Sequence, residues 1–251
     1  MTYREHFSTL DEQRWTTSYL PAWSSRQRAA ARVQTGPNGL DLSIPTDHPL
    51  WCPDTHPSPL RVSAIHSANR SGPVGSTDAP QPFRDGQLVV EEQPLMLGYT
   101  PHYGRISVTC SAQISARSMF SAWMVGLEDE PHRSGEICLV EVFGDRIRGR
   151  TAEVGQGIHR FRDPHLEEDF TATRMPIDVT MPHVYSVDWA PDLVTFRIDD
   201  AVTREIHQAP DYPMMLILGV FDFPDRAGDP HHVPRLRVHD VTGGPPTPGL
   251  S

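Results

Sequence analysis

The sequence predicts an all-β fold, a sandwich of two antiparallel sheets. Three observations carry that prediction. Apolar residues recur with a period of two, or in short runs bounded by turn residues, along most of the chain. The 25 prolines and 18 glycines break up any long helical period. No repeat and no composition shift divides the chain, so residues 1–242 are expected as one domain. Residues 243–251, Gly-Gly-Pro-Pro-Thr-Pro-Gly-Leu-Ser, are expected as a loose tail.

The elements follow in order. Residues 4–23 read as an irregular entry with a helical turn at 10–15. Gly36-Pro37-Asn38-Gly39 is a turn signal, and it predicts a hairpin of residues 30–35 with 40–44. Five prolines make 45–60 a loop that holds Trp51 and Cys52. A strand is expected at 60–68, a second long loop at 69–86, and a strand at 87–93. Residues 104–112 alternate, and 119–127 are apolar enough for a strand covered on both faces. The next strand starts at Glu136. Residues 146–154 and 157–161 read as two more strands, followed by a polar loop to about 178. The hairpin 184–189/193–199 and strands at 202–207, 214–221 and 233–241 complete the set.

The net charge is −10, all 22 basic residues are arginine, and they form no basic run. Nucleic acid and anionic membranes are poor partners for such a chain, whereas a neutral polymer such as a polysaccharide fits. No apolar stretch is long enough for a membrane-spanning helix. Cys52, Cys110 and Cys138 form no metal or redox motif and read as free buried thiols, which suit a reducing compartment. The first residues are polar, so no signal peptide is visible and the sequence by itself reads as cytoplasmic. Asp225, Asp229, His231 and His232 match no metal-site spacing, and a solvated loop is expected there. No nucleophile elbow and no phosphate loop is present.

The stretch with chemical content is Gly135-Glu136-Ile137-Cys138-Leu139-Val140-Glu141. On a regular strand, side chains five positions apart face opposite ways. Their Cα atoms would also lie roughly 15 Å apart. One bulge would put both glutamates on one face, and a concave sheet would draw them together. Two carboxyl groups on one groove are the equipment of glycoside hydrolysis. By spacing alone, two solvated glutamates at the ends of a strand explain the pattern better.

With that order laid out, the chain resembles glycoside hydrolase family 16 from Phe7 to about Val238. The resemblance rests first on 135–141, where the family's bulged strand reads Glu, aliphatic, Asp, two apolar positions, Glu. It rests also on Tyr103-Gly104-Arg105, Ala122-Trp123-Met124, residues 183–189 with 196–199, and the closing 235–238. It implies a concanavalin A-like β-jelly roll of two curved antiparallel sheets with a sugar groove. It also implies retaining hydrolysis of β-linked glucans or galactans, with Glu136 as nucleophile and Glu141 as acid/base.

Cys138 falls where the family has aspartate. A thiol is a weak donor and usually neutral, so activity could be reduced, or the chain could be a carbohydrate-binding jelly roll with weak or lost catalysis. The family's calcium aspartate falls at Pro234, so no structural calcium, other metal or cofactor is expected. Trp123, His159, Trp23 and Arg105 are the substrate-binding candidates. Trp123 serves equally as core and His159 equally as a structural histidine. A monomer is expected. The family mostly acts outside cells, so location stays open between that and the cytoplasmic reading.

Overall fold

The computed structural model describes residues 2–245. One sheet runs, in spatial order, β14 (Ala201–Ile206), β13 (Leu193–Ile198), β12 (His183–Ala190), β7 (Gly104–Gln113), β16 (Arg235–Gly244), β3 (Gly39–Ser43) and β2 (Arg32–Gly36). The short β1 (Tyr3–Glu5) adds to β16. The other sheet runs β11 (Asp169–Met175), β10 (Ala152–His159), β9 (Glu136–Phe143), β8 (Ser118–Gly126), β15 (Met214–Asp222) and β4 (Arg61–His66). A two-stranded ladder joins β5 (Ala68–Asn69) to β6 (Met96–Leu97). All the strand pairings are antiparallel, as expected for a sandwich closed by hairpins and crossing loops.

Side-chain parity builds the core. On β7, Ile106, Val108 and Cys110 turn inward, against Phe120 and Met124 of β8 and Leu216 and Leu218 of β15. The alternate residues of β8 and β15 are apolar as well: Met119, Trp123, Met215, Ile217 and Phe221 join a second cluster with Trp23, Trp51 and Cys52. That cluster sits on the outer face of the six-stranded sheet, where the N-terminal segment and the long loops cover it. This is why β8 and β15 read as unbroken apolar runs.

Several expectations need correction. Residues 87–93 form no strand; Val89 and Val90 instead bond to the carbonyls of Ser76 and Ala22, within the loop packing. The two strands expected at 146–154 and 157–161 are one, β10, preceded by a 3-10 turn at Gly144–Arg146. The polar loop to 178 contains β11, an edge strand that buries little, so its polar alternation conceals it. The irregular entry contains β1. Gly243 and Gly244, placed in the tail by sequence, end β16 opposite Ile106 and Arg105; residues 246–251 lie outside the described residues. Cys52, Cys110 and Cys138 are buried free thiols, as the sequence indicates.

Candidate active site

The bulge exists, and it lies between the two glutamates. Ala122 of β8 pairs with Val140, but the next residue, Trp123, pairs with Cys138, so Leu139 is the extra residue. On the other side, Gly155 pairs with Glu141 and Gly157 with Cys138. Ile137, Leu139, Val140 and Val142 consequently all enter the core between the sheets. Glu136, Cys138 and Glu141 are left together on the opposite face, as the bulge argument requires.

Side chains hold the bulge open. The carbonyl of Leu139 accepts a hydrogen bond from Gln156 Nε2 at 2.9 Å, and that of Val140 accepts one from Ser121 Oγ at 2.8 Å. Both are backbone acceptors that a disrupted ladder leaves short of partners. Gln156 is itself fixed by Thr203 Oγ1, which donates to its Oε1 at 2.6 Å. At the start of the strand, the Gly135 N–H donates to Tyr212 Oη at 2.7 Å, and that hydroxyl donates to Asp163 at 2.7 Å. A side chain at 135 would collide with that hydroxyl and with Leu166.

Glu136 and Glu141 line an open cleft of about 330 Å3, together with Tyr19, Gln81, Phe83, Ser121, Trp123, Glu128, Phe161, Arg162, Phe221 and Phe223. The cleft continues into a wider, more polar depression of about 850 Å3, and both share Pro82, Phe83, Glu128, Phe161 and Arg162. Aromatic faces with a few carboxylate and amide groups suit sugar rings, which present both C–H surfaces and hydroxyls.

The electrostatics favour proton retention. Burial, and then the charge of Glu141, pushes the Glu136 carboxyl up to about 8, against a hydrogen bond from Gln81 Nε2 at 3.0 Å that favours its anion. Burial also raises Glu141, while His159 pulls it back. Two neighbouring carboxyls that both resist ionisation titrate as a unit, and the pair keeps a proton near neutrality. The Cys138 thiol is raised too, first by burial and then by the two glutamates, so it is a neutral thiol between them.

The remaining candidates separate. Trp123 lines the cleft, and its indole N–H donates to Gln81 Oε1 at 3.3 Å. His159 lies opposite Glu136 in register; its ring stacks on Phe170 at 4.4 Å and its Nδ1 meets Glu168 at 2.5 Å. Trp23 is packed beneath the loops, and its N–H donates to the Pro80 carbonyl at 2.7 Å, so it supports the loop next to Gln81 and lies outside the cleft lining. Arg105 is on the other sheet. Its neighbours Gly104 and Ile106 are buried, and its guanidinium forks onto Asp188 at 2.9 and 2.6 Å. An outward-facing ion pair, not the cleft, accounts for it.

Sequence reasoning missed Gln81, Glu128 and Arg162. Glu128 accepts from the Gln81 backbone N–H at 2.7 Å and pairs with Arg162. Burial raises its carboxyl to about 7. These three residues come from three separate loops, and no local spacing announces their meeting. No group of three or more His, Cys, Asp or Glu among the described residues is arranged to hold a metal.

Comparison with known proteins follows from this geometry. A GlcNAcα1-4Gal releasing endo-β-galactosidase from Clostridium perfringens superposes with a TM-score of 0.84 at 24% identity. The match covers 99% of this chain, which spans 63% of that one. A laminarinase from Flavobacterium sp. UMI-01 superposes at 0.63 with 15% identity over 96% of this chain and 98% of its own. An endo-1,3-β-glucanase (laminarinase) catalytic domain from Thermotoga petrophila RKU-1 gives 0.64 with 14% identity over 96% and 95%. No curated protein sequence matches the chain. These likenesses establish the jelly-roll fold. The profile of glycosyl hydrolases family 16 matches residues 99–232, more than half of the chain, and the protein belongs to that family.

Proposed function

We propose that the protein is a retaining, endo-acting glycoside hydrolase of a β-linked polysaccharide, with Glu136 as nucleophile and Glu141 as acid/base. The observation that carries this reading is the bulge at Leu139, which turns both carboxyl groups into one open cleft. The cleft continues past the pair into the wider depression, a shape suited to an internal segment of a chain.

The roles follow from surroundings. Glu136 is the deeper group and accepts a hydrogen bond from the Gln81 amide N–H, which favours the anion a nucleophile needs. Glu141 is only half-buried, so it can meet both a leaving oxygen and an incoming water. In the empty cleft, burial keeps the proton on Glu136. A sugar seated over Glu141 strips its water and raises its proton affinity, whereas the Gln81 bond to Glu136 is unaffected. Substrate binding thereby moves the pair's single proton to Glu141. Glu136 then attacks the anomeric carbon while Glu141 protonates the leaving oxygen. Glu141, now a base, takes a proton from water as that water displaces Glu136.

A second reading, carbohydrate binding with weak or no turnover, is favoured by the neutral thiol of Cys138 at the position of the family's acid. One experiment separates the two. The protein is incubated with β-1,3-, β-1,4- and mixed-linked glucans and with β-galactans, and the new reducing end is followed by proton NMR. The hydrolase reading expects the β-anomer first on at least one glycan. First release of the α-anomer refutes the mechanism, and binding without any release establishes the second reading.

A further inference from the structure

Gln81 lies on the loop between β5 and β6, far in sequence from the catalytic strand, yet both ends of its side-chain amide are engaged at the pair. Its Oε1 accepts the Trp123 indole N–H at 3.3 Å, and its Nε2 faces Glu136 Oε2 at 3.0 Å. The indole nitrogen is only a donor, which fixes the orientation of the amide: oxygen to Trp123, NH2 to Glu136. Gln81 is therefore a donor to that carboxylate.

The backbone there is held under strain. Gln81 has φ 50° and precedes Pro82, a combination that non-glycine residues avoid. Its N–H is clamped by Glu128 Oε1 at 2.7 Å, and Glu128, also at positive φ (51°), is held by Arg162. Strain retained under several restraints marks a position worth a functional hypothesis. Cys138, by contrast, is 1% exposed, with its sulfur 4.0 Å from Ser121 Oγ.

We propose that Gln81 is the positioning residue of Glu136, supplying from a loop the hydrogen bond that the thiol at position 138 is too weak a donor to give, with the Glu128–Arg162 pair holding Gln81 in place. A neutral amide does this without adding another acid beside the Glu136–Glu141 pair. Its consequence for turnover rests on the hydrolase reading above; its effect on the Glu136 carboxyl does not.

The test uses the whole protein labelled with 13C at the glutamate side-chain carbons, titrated by NMR, with Glu136→Gln assigning the resonance. The other titratable groups that act on Glu136 are Glu141 and Glu168; Tyr19 and Cys138 also couple to it, and His159 lies opposite. Each is present in the wild type and the variant alike. Gln81→Met keeps the length and removes the donor, and the Glu136 titration is expected to move upward by about one pH unit. An unmoved Glu136 midpoint overturns the proposal, whether or not the protein cleaves any glycan. If Gln81→Met does not fold, Gln81→Leu removes the donor without adding a charge and is read the same way. On a glycan that the wild type hydrolyses, Gln81→Met is expected to lower kcat at least tenfold with KM within about twofold. A raised KM at unchanged kcat would make Gln81 a substrate contact and overturn its positioning role. Failure of the wild type to cleave anything refutes the hydrolase reading and leaves the titration to decide Gln81.

Discussion

Replacing Glu136 with glutamine is expected to make the protein more stable while removing its activity. The unfolded chain releases this proton near 4.5 and the folded chain near 8, chiefly because the carboxyl is buried. The folded value is raised, so the unfolded state gives up its proton first. The destabilisation is absent below about pH 4.5, grows as pH rises, and levels off above about pH 8. At about 1.4 kcal/mol per pH unit, it reaches about 3 kcal/mol at pH 7 and about 5 kcal/mol by pH 9. Glutamine has the same shape, and its oxygen can still accept from Gln81 Nε2. Glu136→Gln is therefore expected to melt about 10 °C above the wild type at pH 7, and level with it at pH 4.5. Thermal denaturation of both proteins from pH 4.5 to 9 measures this. Equal melting temperatures at pH 8–9, or a difference that does not change with pH, would refute the reasoning that burial holds this proton.

Two further outcomes test the geometry. Glu141→Ala is expected to lose at least a thousandfold in kcat on glycans and much less on aryl glycosides whose leaving group needs no proton, a contrast read by steady-state kinetics. Gly157→Ala is expected to cost more than about 2 kcal/mol in denaturant unfolding. Residue 157 has φ 151°, and a Cβ there would stand 2.2 Å from the Asp169 carbonyl oxygen of β11. A loss below about 0.5 kcal/mol would mean that the two strands separate easily.

What the sequence disclosed depends on how local the cause is. The bulge entered the sequence reading as a condition for Glu136 and Glu141 to share a face and through the family resemblance; its place at Leu139, with Ile137, Leu139, Val140 and Val142 all buried, is a fact of the fold. Strands β8 and β15 were legible because both of their faces are covered. Strand β11 was not, since its residues are mostly exposed and its pairing with β10 is a long-range fact. Residues 87–93 carry strand-like residues into a loop whose hydrogen bonds go to Ala22 and Ser76. Arg105 drew attention through a motif, yet strand parity sends it outward to Asp188. Gln81, Glu128 and Arg162 meet only because three loops converge, and no spacing within one segment encodes that.

The central claim is that Glu136 is the nucleophile of a covalent glycosyl intermediate and Glu141 its acid/base. The most direct measurement is to trap that intermediate. Glu141→Gln slows the second step, and an activated 2-deoxy-2-fluoro-β-glycoside of whichever sugar is cleaved slows both. Intact mass followed by peptide mapping then locates the adduct. The account predicts a single glycosyl group on the Glu136 carboxylate, absent from Glu136→Gln. An adduct on any other residue, with Glu136→Gln labelled as readily as its parent, would contradict it.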